Sequence, residues 1–170
     1  MSIAPPLARI AVGVVVERRK GSSPWVDFLW APVAVLAGVP DTPPWTTLSE
    51  EADRISFYAG PAEIELYRTE TEYYGINLLT DAPSLWVVLR ATDGEPPYRV
   101  FKVTADPGEG EGLTEAGNDI VEMVAMPPAI QEQVAAFVAE HHVEQEVFVK
   151  RKRDRANPEA MGRRGPMDRK

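Results

Sequence analysis

The most constraining feature of this sequence is the apolar run between Arg9 and Arg18. Two rows of small or branched side chains alternate along it: Ile10, Val12, Val14 and Val16 on one side, Ala11, Gly13 and Val15 on the other. Side chains point alternately to opposite faces of a strand, so a strand that is apolar on both faces is covered on both. The run therefore predicts a central strand of a β-sheet.

Further strand patterns follow at short intervals. Residues 30–36 form a second apolar run, and Pro32 within it predicts an edge strand because proline cannot donate to the ladder. Residues 54–68 alternate on both sides of Gly60-Pro61, which predicts a hairpin with its turn at these two residues.

The second half of the chain combines strands with one helix. Residues 85–90 and 98–104 predict another hairpin, and residues 119–124 predict a short strand. The acidic, glycine-rich segment 108–112 between them is predicted to be a flexible loop.

A helix is predicted to begin at Pro127-Pro128, where proline is tolerated in the first turn. At helical spacing, one face then carries Ile130, Val134, Phe137, Val138 and His141. We expect a β-rich α+β fold with six or seven mostly antiparallel strands, in a sandwich or open barrel closed by this C-terminal helix.

Charge divides the chain into an acidic body and a basic arm. Residues 1–149 carry a net charge of −14, whereas residues 150–170 carry a net +6. The arm has too few apolar side chains to offset the entropy of ordering it. The sequence predicts one compact acidic domain over residues 1–149 and a disordered, flexible basic arm over residues 150–170.

The ligands of common metal and redox centres are scarce. The chain contains no cysteine, which excludes disulfides and thiolate-bound metals or clusters on its own residues. Its two histidines are adjacent, and His141 and Glu144 have a spacing that metal ligands use. However, His141 lies in the apolar stripe of the helix, where a packed histidine is expected. We expect no metal, no cofactor and no catalytic role for His141 or His142.

Enzyme motifs are also missing from the sequence. It contains no G-x-S-x-G elbow, and the glycines of residues 108–112 alternate with glutamates that would repel a phosphate. Paired carboxylates such as Glu63 and Glu65 are expected to be a solvated strand face. The sequence therefore favours a protein that is not an enzyme.

Three tryptophans lie within a proline-rich segment, at Trp25, Trp30 and Trp45. Large aromatic side chains are mostly buried, so closing one end of the sheet is the first interpretation. A rigid apolar surface for a partner is the second. Tyr73 and Tyr74 carry the same ambiguity.

The basic arm begins with Lys150, Arg151, Lys152 and Arg153. These side chains would suit phosphate backbones, but the acidic body would repel nucleic acid and no aromatic residue interleaves the arm. Docking on an acidic protein surface needs only the charge. We favour a protein partner, and self-association with the acidic body is a further alternative.

Targeting and membrane signals are not found. The first apolar run is short and precedes rather than follows its basic residues, unlike a signal peptide. We expect a bacterial cytoplasmic protein that does not enter the membrane.

Several stretches together resemble a family of proteobacterial proteins of unknown function: residues 9–18, 24–36, 57–60, 85–90, 138–143, 150–153 and 157–164. The run Pro24–Leu36 is the most specific of them. The resemblance implies genes commonly found near those of molybdenum-dependent formate dehydrogenases and their maturation factors. It carries over no catalytic residue.

These observations lead to one expected function and two alternatives. We expect an accessory protein that binds a formate dehydrogenase subunit or maturation factor, using Trp25, Trp30 and residues 150–153. The first alternative is a nucleic-acid or ribosome-associated factor that uses the basic arm. The second is a small-molecule binder or carboxylate enzyme, with a pocket lined by Trp30, Tyr58 or Tyr73.

Overall fold

The computed structural model of the protein describes residues 4–25 and 27–142. Their strands form two antiparallel sheets. The first sheet has the order β2-β1-β4-β3, with β1 at Ala8–Lys20, β2 at Phe28–Leu36, β3 at Thr46–Glu50 and β4 at Arg54–Leu66. The second has the order β6-β5-β7, with β5 at Ser84–Ala91, β6 at Tyr98–Thr104 and β7 at Ile120–Ala125. The predicted basic arm lies outside the described residues.

Three α-helices accompany the strands in the described ranges. Helix α1 spans Thr71–Leu78 directly after a 3-10 turn at Arg68–Glu70, α2 spans Pro107–Glu115, and α3 covers residues 128–142. None of them has the length and apolar character that crossing a membrane requires.

The core lies between the two sheets. Val12, Val14 and Val16 of β1 are fully buried and belong to the same apolar cluster as Leu85 and Leu89 of β5. Helices α1 and α3 close one end of this cluster with Tyr74, Ile130, Val134 and Phe137. The predicted β-rich α+β sandwich with a C-terminal helix is confirmed, and the described strands form two sheets rather than a closed barrel.

The central and edge positions of β1 and β2 follow the sequence prediction. β1 pairs with β2 on one side and with β4 on the other, whereas β2 is an edge strand. The register passes from Val15 opposite Ala34 to Val16 opposite Pro32, so Val33 is the extra residue of a bulge. Proline is therefore found at an edge and beside a bulge, where a ladder hydrogen bond is not needed.

The predicted hairpin over residues 54–68 is wrong, because these residues form the single strand β4. β1 pairs along its whole length, from Ala8 opposite Leu66 to Arg19 opposite Arg54. Gly60 has a φ of 129° and lies at a bulge in the β1–β4 pairing. A glycine with positive φ serves a bulge as well as a turn. The hairpin of β5 and β6 and the strand β7 are confirmed.

The predicted flexible loop at residues 108–112 is also wrong, because it lies within helix α2. Asp106 is the N-cap residue, and its side chain accepts a hydrogen bond of 2.9 Å from the Gly108 N–H. Pro107 occupies the first turn, as is common at a helix start. Glu109 completes the pattern of a cap followed three residues later by glutamate. This signature is readable in the sequence, but three glycines obscure it.

Helix α1 and strand β3 were not predicted. Tyr74 in α1 is buried against Phe137 of α3, with ring centroids 6.2 Å apart, whereas Tyr73 is largely exposed. The two neighbouring tyrosines therefore differ in role: one belongs to the core and the other to the surface.

Candidate functional site

The end of the sandwich opposite α1 and α3 is closed by aromatic side chains from both sheets. Arg18 of β1 lies opposite Trp30 of β2 and opposite Ile55 of β4. This register places the Arg18 and Trp30 side chains on the face of the sheet that turns toward the core. We call the following group the aromatic end: Arg18, Phe28, Trp30, Trp45, Phe57 and Tyr98.

The rings of the aromatic end contact one another around Trp30. The Trp30 ring stacks on Phe57 at 6.0 Å between centroids, and Trp45 meets Trp30 edge-on at 6.1 Å. Tyr98 of the second sheet lies 6.0 Å from Trp30 and so joins the two sheets. Such pairs stabilise a fold by about 0.5–1.5 kcal/mol beyond the area that they bury. The interpretation that the tryptophans close one end of the sheet is confirmed for Trp30 and Trp45, which are partly buried against the core.

Arg18 is the cation of the aromatic end. Its guanidinium carbon lies 4.2 Å from the centroid of Phe28, 5.7 Å from Trp30 and 5.8 Å from Phe57. These distances fall within the range of cation–π attraction. No carboxylate of residues 4–25 or 27–142 forms an ion pair with Arg18. A half-buried guanidinium with unused donors is suited to bind a carboxylate from outside.

Two shallow cavities meet at Arg18. One, of about 190 Å³, is lined by Arg18, Trp30, Trp45, Phe57, Glu95 and Pro96. The other, of about 180 Å³, is bounded by Arg18, Lys20 and Phe28 on one side and the β3–β4 turn on the other. Both are smaller than the pockets that usually hold a small-molecule ligand, of roughly 300–1,000 Å³. Their form suits single side chains of a docked protein better than a buried metabolite.

Beside the aromatic end, apolar side chains face solvent. Trp25 is 90% exposed, and Phe28 and Leu29 at the start of β2 are 45% and 44% exposed. We call Trp25, Phe28 and Leu29 the apolar rim, which shares Phe28 with the aromatic end. Trp25 therefore does not close the sheet, and the alternative interpretation, an exposed surface, applies to it. Sequence reasoning missed Arg18, whose only sequence signal is its place at the polar end of an apolar strand.

The other predicted site residues fall elsewhere. Residues 150–153 lie outside the described part of the chain. Trp30, Tyr58 and Tyr73 do not share a pocket: Tyr58 is buried against Gly13 on the other face of the first sheet, and Tyr73 is exposed on α1. Of the three residues named for the small-molecule alternative, Trp30 lines the cavity of about 190 Å³ beside Arg18.

The two histidines lie at the end of α3. The His141 ring packs on Phe137 with centroids 4.4 Å apart, and His142 Nδ1 lies 3.2 Å from Thr71 Oγ1. Glu144 lies beyond the described residues. Within residues 4–25 and 27–142, no group of three or more histidine, aspartate or glutamate side chains could hold a metal ion. The packing of His141 matches its place in the apolar stripe.

A polar cleft of about 220 Å³ lies between β4 and β6. Its Tyr67 hydroxyl donates to Glu65 Oε1 at 2.6 Å. This hydrogen bond, together with burial and the charges of Glu65 and Glu109, raises the pKa of Tyr67 to about 12. Across the cleft, Glu109 accepts from Thr104 at 2.7 Å and pairs with Lys102 at 3.1 Å. Glu65 is thus paired with Tyr67 on one wall of the cleft, and Glu109 is paired with Thr104 and Lys102 on the other.

Glu63 and Glu65 of β4 lie on a solvated strand face, as the sequence predicts: Glu63 is exposed and Glu65 is half-buried. Arg9 of β1 lies beside both carboxylates on this face, with its Nε 3.5 Å from Glu63 Oε1 and 3.8 Å from Glu65 Oε2. This face offers no free pair of carboxyl groups for catalysis.

Comparison with known proteins gives a family and nothing further. A family model described as a protein of unknown function, DUF3305, matches residues 11–153. The chain belongs to the DUF3305 family. Neither the curated proteins nor the solved structures contain a significant match to it.

The DUF3305 match covers more than four fifths of the chain and includes the basic residues 150–153. The resemblance to an uncharacterised family is confirmed at this level. The aromatic end, the apolar rim and the start of the basic arm all lie within the family's matched region.

Proposed function

We propose that this DUF3305 protein is a non-catalytic accessory protein that binds another protein through the aromatic end and the apolar rim. The observation that carries the proposal is the exposure of Trp25, Phe28 and Leu29 beside Arg18, whose guanidinium forms no ion pair with the part of the chain that the structure describes. Tryptophan, arginine and other aromatic residues are the side chains that most often dominate binding energy at protein interfaces.

The chemistry of this face indicates what the partner presents. Arg18 and the basic residues 150–153 both favour carboxylates, and the apolar rim favours aliphatic or aromatic side chains. The partner surface should therefore be acidic around an apolar centre. The charge of residues 150–153 would speed association, whereas the apolar rim would slow dissociation.

The resemblance described above supports a more specific proposal for the partner. We propose a subunit of a molybdenum-dependent formate dehydrogenase or one of its maturation factors. The proposal rests on gene neighbourhood in the family, which is an association rather than a contact.

Affinity purification of the tagged full chain from its host tests both proposals. The test variant is Trp25→Ser with Phe28→Ser, and the control is Leu79→Ser, which removes a side chain that is 87% exposed at the end of α1. We expect wild type and control to retain formate dehydrogenase subunits or a maturation factor. The test variant should weaken binding about 30-fold, the effect of losing roughly 2 kcal/mol of interface energy.

The other outcomes separate the alternatives. Equal partner binding by the test variant and the control would show that the apolar rim does not contribute to binding. Recovery of ribosomal proteins and RNA that depends on residues 150–153 and disappears with salt would replace the proposal by a nucleic-acid function. Recovery of an unrelated protein that depends on the apolar rim would support the proposed binding face. It would contradict the proposed formate dehydrogenase or maturation-factor partner.

A further inference from the structure

A groove lies on the outer face of the second sheet. Its cavity measures about 470 Å³. Met123 of β7 and Trp86 of β5 lie opposite each other in the register and form its floor with Val121. Met123 is 59% exposed. Helix α2 forms one wall, so the groove runs between a helix and the edge strand β7.

Glu122 of β7 lies opposite Val87 of the core and so points to the other face of the sheet. The carboxylates beside this floor are Glu111 and Glu115 of α2. No lysine, arginine or histidine of the described residues forms an ion pair with any of them. Two nearby carboxylates differ: Asp119, just before β7, pairs with Arg90 at 2.8 Å, and Glu109 of α2 pairs with Lys102 at 3.1 Å. An apolar floor with unpaired carboxylates around it favours a segment that combines cations with aliphatic stems.

We infer that this groove binds the chain's own basic arm, residues 150–170. The arm has a net charge of +6 and contains nine lysines and arginines together with Met161 and Met167. Its guanidinium and ammonium groups would pair with Glu111 and Glu115. The methionines and the aliphatic stems of the arginines would cover Met123 and Trp86. Residues 1–149 carry a net charge of −14, which attracts the basic arm in general. The groove adds apolar contact to this electrostatic attraction.

The length of the chain allows this contact. The five residues from Met123 to the start of α3 span at most about 18 Å, and the 15-residue helix adds about 22 Å. The 14 residues that follow α3 span up to about 46 Å when extended, which exceeds the sum of these two lengths. The groove is therefore within reach of residues from about 157 onward, whatever the direction of α3.

Self-docking would have a consequence for partner binding. An arm held in the groove is not free for an acidic partner, and the apparent dissociation constant for that partner rises in inverse proportion to the fraction of molecules in which the arm is free. The contact itself does not depend on the proposed function, so its test needs no partner.

Paramagnetic relaxation on the full chain tests the contact. The absence of native cysteine allows a single spin label at Ala160→Cys. We expect the indole N–H signal of Trp86 and the methyl signal of Met123 to lose most of their intensity at low salt. They should recover in about 1 M salt, where the Debye length falls to about 3 Å.

Two matched variants decide whether the groove is responsible. Glu111→Gln and Glu115→Gln together should restore both signals. The control, Asp27→Asn with Asp41→Asn, makes the same change in net charge at exposed sites beside the first sheet and should leave both signals broadened.

Three results would overturn the inference. Undiminished Trp86 and Met123 signals at low salt, in the spin-labelled Ala160→Cys chain with its groove carboxylates unchanged, would show that the arm does not reach the groove. Equal recovery in the groove and control variants would show attraction to the whole acidic body without a site. Equal broadening in a mixture of spin-labelled chains without isotope and isotope-enriched chains without spin label would assign the contact to a second copy of the protein.

Discussion

Gly110 of α2 lies directly against the indole ring of Trp86, so close that a Cβ atom at position 110 would be 2.2 Å from Trp86 Cγ. Three atoms of the ring lie within 2.5 Å of that position. A helix carrying Gly108, Gly110 and Gly112 is intrinsically weak, since each glycine costs up to about 1 kcal/mol relative to alanine. The glycine at 110 is required because α2 could not otherwise approach β5.

Gly110→Ala should therefore destabilise the protein although it raises helix propensity. Overpacking of this kind costs about 1–3 kcal/mol, which exceeds the gain of about 1 kcal/mol from removing glycine. Gly112→Ala is the matched control, because no atom lies within 4 Å of its Cβ position. It should stabilise the protein by up to about 1 kcal/mol in urea denaturation. A stabilising Gly110→Ala would show that the contact between helix and strand is loose.

Asn77 of α1 holds three backbone groups of the neighbouring segments. Its Nδ2 donates to the carbonyls of Ser84 at 2.7 Å and Ala105 at 3.0 Å, and its Oδ1 accepts from the Ser84 N–H at 3.0 Å. Asn77→Ala leaves these buried groups without partners and should cost about 3 kcal/mol. Asn77→Asp should also destabilise, since a carboxylate would face two carbonyls. The exposed control Asn118→Ala should change stability by less than about 0.5 kcal/mol. An equal effect of Asn77→Ala and Asn118→Ala would contradict this assignment.

How far the fold was predictable is seen in the two strands that contain Pro32 and Gly60. The edge position of β2 follows from Pro32 alone, because a missing donor is a property of one residue. The continuity of β4 does not follow from Gly60, since positive φ suits a turn and a bulge equally. That choice is made by β1, whose 13 residues pair along both halves of β4. Local pattern predicts elements, whereas long-range pairing decides where they end.

The candidate site was predictable to a similar extent. The sequence indicated Trp25 and Trp30 as residues of interest but could not separate exposed Trp25 from partly buried Trp30. Arg18 was missed because its position depends on the pairing of β1 with β2, which shifts at the Val33 bulge. The groove at Trp86 depends on α2, which three glycines hid from the sequence pattern.

Removal of the buried Tyr58 hydroxyl, unlike the substitution of Asn77, should not lower the stability of the protein. Tyr58 is only 1% exposed, burial raises its pKa, and its hydroxyl has no hydrogen-bond partner among the described residues. Tyr58→Phe removes an unsatisfied polar atom and should leave stability unchanged or raise it by about 1 kcal/mol. Tyr74→Phe is the control, because the Tyr74 hydroxyl accepts from the Tyr67 N–H at 2.9 Å, and it should cost about 1 kcal/mol. Chemical denaturation of both variants makes the comparison, and a Tyr58→Phe protein as unstable as Tyr74→Phe would disprove it.

Asp106 predicts a dependence of stability on pH. Burial raises the pKa of its carboxyl group, and the nearby Glu70 and Glu109 raise it further, while the N–H groups of Glu109 and Gly108 lower it in part. The folded state therefore binds the proton more tightly than the unfolded state. As pH rises from the ordinary pKa near 3.8 through the raised value, the free energy of unfolding should lose this contribution.

Asp106→Asn removes the charge and keeps an N-cap acceptor, since asparagine caps helices about as well as aspartate. Relative to wild type, its unfolding free energy should rise with pH across the acid range and then stay level. Asp106→Ala removes the cap as well and should lie about 1 kcal/mol below Asp106→Asn at every pH. Urea denaturation between pH 3 and pH 8, with the exposed Asp93→Asn as reference, measures both effects. Parallel profiles for wild type and Asp106→Asn would show that the carboxyl group titrates alike in the folded and unfolded chain, because a raised folded-state pKa requires the two profiles to diverge.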